Sequence, residues 1–600
     1  MSKKLLATAL LPFAVLAQDP SATNNKEVTV VTANRVEQAV SDVLAPVSII
    51  TRDDIELTQA RSLTDVFRML PGVDVAVNGG SGQVASIFIR GANSNQALIL
   101  IDGVAMLTAN TGSPDFNQIP MSSIERIEFI RGPRAAVYGS EAIAGVINII
   151  TQSSAEPITT LSVGFGSDAS YKSSLYSQLN LTDKTKLKVT AAYETTDGYN
   201  VHPSPANKGD KHGFESQNYA AMLKHQFSDS LSFFIQPRYY QNIVGYYSFG
   251  TNKEAWIENI AFDGGVTYSD ETVYSALKLT TTFEDKYDYL VSAANKRYST
   301  SPAVREQKTA NWLNQYKFSD TYTAALGLDW KDESYQKPGL GKQEKSNKAL
   351  FTTMSKNISV ITLEGSARID DNSQFGSHTT WGLAAGWQLN PKWKIIASSG
   401  TSFKAPSLYQ SFDVNYGNSE LKPEESISYD VGLESNLELV TWSVNAYYRD
   451  VKDLIDSDPA TWKFANLDGH SIMKGAELEA SFDLFTIRNQ ASLEYLDTKD
   501  ANGNELSRRA KYKAKWQGTI TTGNVDWALQ YLYQGKRDNS GYDDIILSGY
   551  SLWNLSAVYY VIPELKLAAK VENLFDKEYE TAAGYPAPER GYYINATYEF

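Results

Sequence analysis

Cysteine is absent from the 600 residues, which removes disulfides, thiolate metal sites and cysteine nucleophiles together. Histidine is scarce: His202, His212, His225, His378 and His470 are the full set, too few for a histidine-ligated centre to stand out. Basic charge is short as well, with 55 Lys and Arg against 69 Asp and Glu and a formal net charge of −14. That balance argues against a nucleic-acid partner, which requires a basic face. No apolar run approaches the roughly 20 residues that a membrane helix needs. No serine, histidine and carboxylate arrangement and no metal signature rises above chance, so no enzymatic chemistry is expected. What the chain does have is aromatic: 36 Tyr, 23 Phe and 11 Trp. It is too apolar and aromatic for a disordered chain.

Residues 1–17 read as an export signal. Lys3 and Lys4 precede the apolar stretch Leu5–Ala17, and cleavage is expected before Gln18. An exported chain without a membrane helix can still span a bilayer as a closed β-barrel, the other fold that satisfies every backbone group in lipid.

The long C-terminal part carries that pattern. Leu565, Leu567, Ala569, Val571 and Phe575 alternate with Lys566, Ala568, Lys570 and Glu572. Trp381, Leu383, Ala385, Trp387 and Leu389 do the same against Thr380, Gly382, Ala384, Gly386 and Gln388. Tyr592, Ile594, Ala596, Tyr598 and Phe600 close the chain on an alternating strand. A period of two places successive side chains on opposite faces. A soluble sheet also alternates, but here the polar face carries Lys and Glu, which suits a wet lumen, and aromatics cluster at strand ends like an interfacial girdle. At about ten membrane residues per strand, residues 155–600 predict a transmembrane antiparallel barrel of about 22 strands. Thr195–His212 and Asp332–Asn347 are expected as long loops. A barrel this wide needs its lumen filled.

Residues 34–154 differ. Short apolar runs (Val47–Ile50, Ile87–Ile89, Ala97–Ile101, Val146–Ile150) alternate with helical stretches (Asp53–Thr58, Ser62–Met69, Ser122–Ile124), and glycine is concentrated between them. This predicts a compact α+β unit, placed to plug the lumen. Ahead of it, residues 18–33 form a polar tether ending in the β-prone Glu27-Val28-Thr29-Val30-Val31-Thr32-Ala33. That segment is suited to add to a partner's sheet edge, or to serve as the first strand of the plug.

A series of ordered motifs carries a resemblance. In the plug these are Leu70-Pro71-Gly72-Val73-Asp74, Ile87-Phe88-Ile89-Arg90-Gly91, Leu100-Ile101-Asp102-Gly103-Val104, Arg131-Gly132-Pro133-Arg134 and Gly145-Val146-Ile147-Asn148. In the barrel they are Phe403-Lys404-Ala405-Pro406, Leu421-Lys422-Pro423-Glu424 and Glu572-Asn573-Leu574-Phe575-Asp576. Over essentially the whole mature chain the sequence resembles the TonB-dependent outer-membrane transporters, with Ala144 departing from a glycine usual in the family. Val30–Arg35, Asn78–Gln83 and Asp370–Gly376 resemble its cobalamin-receptor (BtuB-like) branch.

The resemblance implies a fold and a function. It implies a plugged β-barrel in the bacterial outer membrane, in contact with lipid, that moves cobalamin into the periplasm with energy delivered by TonB. Glu27–Ala33 would be the TonB box. Substrate contacts would fall on Val84, Ser86 and Asn93, on Asn110 and Thr111, and on Ser248, Arg508 and Tyr542 in barrel loops. Each of these is otherwise a residue of a Gly/Asn-rich surface turn. Arg90, Arg131 and Arg134 would be held by lumenal carboxylates, since a buried guanidinium needs paired acceptors, with a gating role as the sharper reading. The alternative keeps the fold and changes the cargo to a ferric siderophore or haem. No resident cofactor is expected. Calcium, which the branch binds in its acidic mouth loops, is disfavoured here: Asn200, Lys208 and His212 stand at the expected ligand positions and Tyr246-Tyr247 in the second loop, leaving Asp210 beside two lysines.

Overall fold

In the computed structural model, which describes residues 30–107, 114–154, 156–204, 207, 209–458, 460–539 and 545–600, 22 antiparallel strands close into one barrel. The first strand, Ile158–Gly166, pairs with the last, Gly591–Glu599, with Val163 opposite Ala596. Among the expected functional residues, Glu27, Val28, Thr29, Asn110, Thr111 and Tyr542 lie outside the described residues, as does the signal segment 1–17.

The alternation decides which way the wall faces. Leu383, Trp387, Phe165 and Ile594 point outward and are exposed. The opposite parity faces the lumen and is polar, with Arg238 paired to Asp263 at 2.6 Å, Arg305 to Glu284 at 2.7 Å and Arg368 to Asp370 at 2.8 Å. Apolar outside, charged and paired inside, with no free edge, is the arrangement lipid demands.

The two ends of the barrel are unlike. Short connections such as 183–184, 359–360 and 563–564 lie at the end holding both barrel termini; long ones (200–211, 405–423, 453–469, 500–511, 573–590) lie at the other. Strands reach 18 or 19 residues, as in Leu231–Ser248 and Leu340–Ile358, where about 9–11 cross a bilayer. The excess stands as hairpins beyond the lipid. Asp332–Asn347, expected as a loop, is one of these: Tyr322–Lys337 and Leu340–Ile358 pair straight through it, Glu333 opposite Lys345, around a tip at Pro338 and Gly339. Cross-strand ion pairing of Lys345 with Glu333 at 3.5 Å supports the ladder, and beyond it Tyr335 is buried against Ala303 and Leu408. Likewise Thr195–Tyr199 continues a strand, so the connection there is only 200–211.

The N-terminal unit fills the lumen. Its elements are β1 (Val30–Val31), β2 (Gln38–Ala39), β3 (Val47–Thr51), α1 (Arg52–Thr58), α2 (Leu63–Met69), β4 (Val73–Val77), β5 (Ala85–Ile89), β6 (Ala97–Ile101), β7 (Val104–Ala105), β8 (Ile124–Arg131), α3 (Ala135–Tyr138) and β9 (Gly145–Thr151). β3, β8, β9, β6 and β7 form one sheet in that order, with β6 parallel to β9, while β4 and β5 make a separate hairpin. Thr51 and Ser62 start α1 and α2 by accepting from the backbone N–H of Asp54 and Asp65, which satisfies donors orphaned in the first turn. Ser122–Ile124, expected as helical, is a short 3₁₀ turn over Met121–Ser123; Ile124, fully buried, instead opens β8. Phe67, Ile87, Ile99, Phe129 and Ile147 make the core, and Val451 and Met473 from the wall belong to the same cluster. The plug therefore completes its core against the barrel. Of the two readings of the tether segment, the structure shows its described end paired within the chain, Val30 and Val31 against Ala39 and Gln38.

Candidate functional site

Two plug loops reach the long-loop end of the lumen. Residues 78–84 press against the wall so closely that a Cβ on Gly82, itself at φ +76°, would lie 2.2 Å from the Phe214 ring. Only glycine fits such a position. Val84 stands 65% exposed at this apex, and Ser86 follows on β5, half-buried and opposite Ala76. The second loop, 91–96, carries Asn93. Its Oδ1 accepts from Nη2 of Arg509 at 2.5 Å, and its backbone N–H donates to Gln96 Oε1 at 2.9 Å. Arg509 comes from the barrel connection 500–511, and its neighbour Arg508 turns the other way, donating from Nε to Asn539 at 3.1 Å. The structure thus brings Asn93 together with the loop that bears Arg508. Ser248 sits apart, at the tip of the hairpin of Leu231–Ser248 and Thr251–Ser269, where its carbonyl accepts from the Thr251 hydroxyl.

The connection 200–211 is knitted by amides and imidazoles. Asn207 donates to the His202 carbonyl at 2.7 Å and accepts from Ser204 N–H at 2.7 Å, while Asn200 donates to the Asn207 carbonyl at 2.7 Å. His202 stacks on Tyr247 at 4.8 Å and meets Tyr585 edge-on at 5.1 Å, tying the connections 200–211 and 573–590 to the end of the strand Leu231–Ser248. Asn252 donates to Asp210 at 2.5 Å and its Oδ1 pairs with His212 Nε2 at 3.2 Å. Among the described residues, no group of three or more His, Cys, Asp or Glu side chains is placed to share an ion.

Deeper in the lumen, three plug arginines meet the wall. Arg90, 1% exposed, is bidentate to Glu477 (2.9 and 2.7 Å) and donates to Asp430 at 2.5 Å, with the Tyr447 ring 4.4 Å from its guanidinium. Arg131 shares Glu477 at 2.8 Å and reaches Glu479 at 2.6 Å and Ser48 at 3.0 Å. Arg134 contacts Glu364 at 3.1 Å and Asn34 at 3.0 Å. Burial alone would favour losing the charge, but the carboxylates around Arg90 and Arg131 reverse it and raise both guanidiniums above the ordinary arginine range. The tether is held at the far end: Thr32 N–H donates to Glu128 at 2.9 Å, the Tyr138 hydroxyl donates to the Thr32 carbonyl at 2.8 Å, and Arg35 grips Asp329 at 2.7 and 3.0 Å.

Several contributors escaped sequence reasoning. Glu477 is the hub of the arginine cluster, and Asp74 sits in a second buried cluster with Lys513, which also pairs with Glu494 at 2.8 Å. The signal available was Glu477 and Glu479 on the lumenal parity of an alternating strand. Arg509 was announced only by the tandem Arg508-Arg509. Between α1–α2 and the wall lies a cavity of about 1,000 Å³, bordered by Glu56, Arg61, Lys172, Lys566 and Glu572.

Comparison with known proteins matches this geometry. A family model of the TonB-dependent receptor-like β-barrel covers residues 159–574, and one of the TonB-dependent receptor plug domain covers residues 39–146. The chain is 42% identical to the vitamin B12 transporter BtuB of Vibrio cholerae serotype O1 over 606 residues, covering 99% of this chain and 98% of that one. Among solved structures, a mutant form of the ferric enterobactin receptor PfeA from Pseudomonas aeruginosa superposes with a TM-score of 0.81 at 21% identity, covering 93% of this chain and 98% of that one. The siderophore receptor PirA from Acinetobacter baumannii gives 0.81 at 19%, covering 92% and 98%. At those identities the two structures speak to fold alone.

Proposed function

The chain belongs to the TonB-dependent receptor family, an outer-membrane β-barrel with its plug inside, and from that premise we propose that it actively carries cobalamin into the periplasm. The observation that carries this reading is the full-length 42% identity to a vitamin B12 transporter, plug and barrel together. Cobalamin is too bulky for a diffusion pore and binds at the mouth, on the apex bearing Val84 and Ser86, on Asn93, and on barrel loops including that of Arg508, with Asn110, Thr111, Ser248 and Tyr542 as further contacts. Occupancy is felt by the arginine cluster of Arg90, Arg131 and Arg134 and frees Val30 and Val31 from β2, so that TonB adds to the Glu27–Ala33 box as a strand and pulls. No bond in the cargo is made or broken. The mouth works without calcium, because Asp210 is committed to Asn252 and the neighbouring positions are filled by protein amides and imidazoles.

A ferric siderophore is the second reading: the ferric enterobactin receptor PfeA and the siderophore receptor PirA share the fold, which accommodates either cargo. Uptake of radiolabelled cyanocobalamin into otherwise receptor-less cells, with and without TonB, separates the two. Cobalamin accumulation only in the TonB-positive host, unchanged by a calcium chelator, is expected. Accumulation of a ferric siderophore but not of cobalamin overturns the cargo, and uptake without TonB overturns the mechanism.

A further inference from the structure

Arg508 and Arg509 are adjacent in sequence but serve different partners. Arg508 has φ +67°, a left-handed residue that breaks the extended course of the loop and lets the two side chains diverge. Arg508 reaches Asn539 on the neighbouring barrel loop. Arg509 turns inward to the plug. Its guanidinium lies over the Phe88 ring, 3.9 Å from the centroid; Nε donates to the Gly91 carbonyl at 3.1 Å, Nη2 donates to Asn93 Oδ1 at 2.5 Å, and Nη1 donates to the Ser507 carbonyl of its own loop. One planar group therefore ties β5, the apex loop 91–96 and the barrel loop 500–511. Lysine offers no such fork.

The tie also settles the orientation of an amide. A guanidinium only donates, so Asn93 must present its oxygen to Arg509. Its NH₂ then points away from that contact, on a half-exposed residue at the mouth. The loop has little freedom to undo this: Gly91 is pressed so near Thr498 that a Cβ would lie 2.7 Å from its methyl, and Ala92 N–H donates to the Ile89 carbonyl.

We propose that Arg509 is a positioning residue of the substrate mouth, locking loop 91–96 to the barrel and fixing the Asn93 NH₂ as a donor aimed at an acceptor-bearing group of the cargo, a carboxamide carbonyl or a phosphate ester oxygen. This rests on the cobalamin reading above for its ligand, though not for its loop order. Arg509 itself need not touch the cargo.

The experiment uses full-length protein in detergent, with barrel folding checked by heat-modifiable migration, and two readouts. The first is equilibrium binding of cyanocobalamin. Arg509→Ala and Asn93→Ala each weaken it at least tenfold, and the double variant is no weaker than Asn93→Ala alone. Asn93→Asp keeps an acceptor for Arg509, and with a stronger charge-assisted bond, but lacks the NH₂; it also loses at least tenfold. A merely structural role predicts the opposite, binding by Asn93→Asp equal to or tighter than wild type. The second readout, hydrogen exchange across 91–96, needs no cargo: Arg509→Ala speeds it at least tenfold and Asn93→Asp leaves it protected. Multiplying losses in the double variant, full binding by Asn93→Asp, or unchanged exchange in Arg509→Ala overturns the inference. Wild-type protein that fails to bind cyanocobalamin sinks the cargo reading instead, and the exchange arm still decides whether Arg509 orders the loop.

Discussion

The plug meets its barrel in two different ways. Toward the strands Glu424–Asn436, Val440–Lys452 and His470–Leu484 it is bolted: Arg90 and Arg131 share Glu477, both arginines are about 1% exposed, and each guanidinium has a second carboxylate. Toward the strands that close the barrel it is propped. There α1 and α2 stand across a cavity from the wall, touching it through the ion pair of Lys566 with Glu56 at 2.9 Å, both side chains about one quarter exposed, and through single hydrogen bonds from Lys570 to the Gln59 carbonyl at 3.0 Å and from Ser556 to the Leu57 carbonyl at 2.6 Å. Similar residue types thus do unequal work. Where water is excluded, losing one partner strands a charge; where water borders the pair, solvent replaces the partner. A cork that must stay seated and yet be loosened by a pull from below is well served by one firm face and one yielding face.

The largest expected effect breaks the firm face. Glu477→Gln keeps the shape but removes the carboxylate shared by two buried arginines, which then lean on Asp430 and Glu479 alone. Breaking a buried pair of this kind costs about 3–5 kcal/mol. In planar bilayers containing urea, the variant is expected to open large conductances at clearly lower denaturant than wild type. Unchanged openings would show that the bolted face does not limit plug stability.

How much of this was legible in the sequence differs by region for physical reasons. The wall was readable because lipid on one side and lumen on the other impose strict alternation, as in Trp381 to Leu389. Asp332–Asn347 was misread because, above the bilayer, the outward face of the hairpin turns polar at Asp332, Ser334 and Gln336 and the apolar half of the pattern vanishes, while Tyr335 stays buried on the inner face. Glycines such as Gly82 marked close approach without naming Phe214 as the neighbour. The arginine partners were out of reach: Arg90 and Glu477 are 387 residues apart, and nothing local to either end encodes the other. Arg509 escaped because a tandem arginine looks the same whether its side chains point to one partner or to two.

The next effect tests a separate contact of the plug, that of the tether with the strand Tyr322–Lys337. Arg35→Ala removes the grip on Asp329, which retains Arg368 at 2.6 Å and so is not stranded. The loss is on the order of 2 kcal/mol, that of charge-assisted hydrogen bonds without an orphaned charge. A nitroxide at Thr32, whose backbone is held by Glu128 and Tyr138, is expected to become more mobile in the absence of cargo, and wild-type mobility in the variant counts against Arg35 as an anchor.

Acid provides a graded probe of the plug's contact with that same strand, Tyr322–Lys337, which also carries Lys331. Burial pushes the Glu141 carboxyl up, but Lys331, at 2.9 Å, and Lys404 outweigh it and hold it down at about 2. A depressed carboxyl contributes stability that is complete above its unfolded value near 4.5 and is lost as pH falls toward 2. Glu141→Gln should therefore destabilise the seated plug at pH 7 by on the order of 1–2 kcal/mol, read as a lower denaturant midpoint of plug release, and the gap to wild type should close between pH 4.5 and 2. A gap independent of pH would assign the effect to packing rather than charge.

The smallest effect is the most discriminating, because it belongs to the propped face. Glu56 and Lys566 have side chains about one quarter exposed and border the cavity. Glu56 also holds Arg52 at 2.8 Å along α1. Glu56→Gln therefore removes two ion pairs, to Lys566 and to Arg52, just as Glu477→Gln removes those to Arg90 and Arg131. If every ion pair were worth the same, the two variants would be equally damaged; solvent access at Glu56 predicts less than about 0.5 kcal/mol. The urea-dependent conductance used for Glu477→Gln decides between them. If the two variants shift it equally, the plug has no yielding face, and the cavity beside α1 and α2 is incidental to how the cork is loosened.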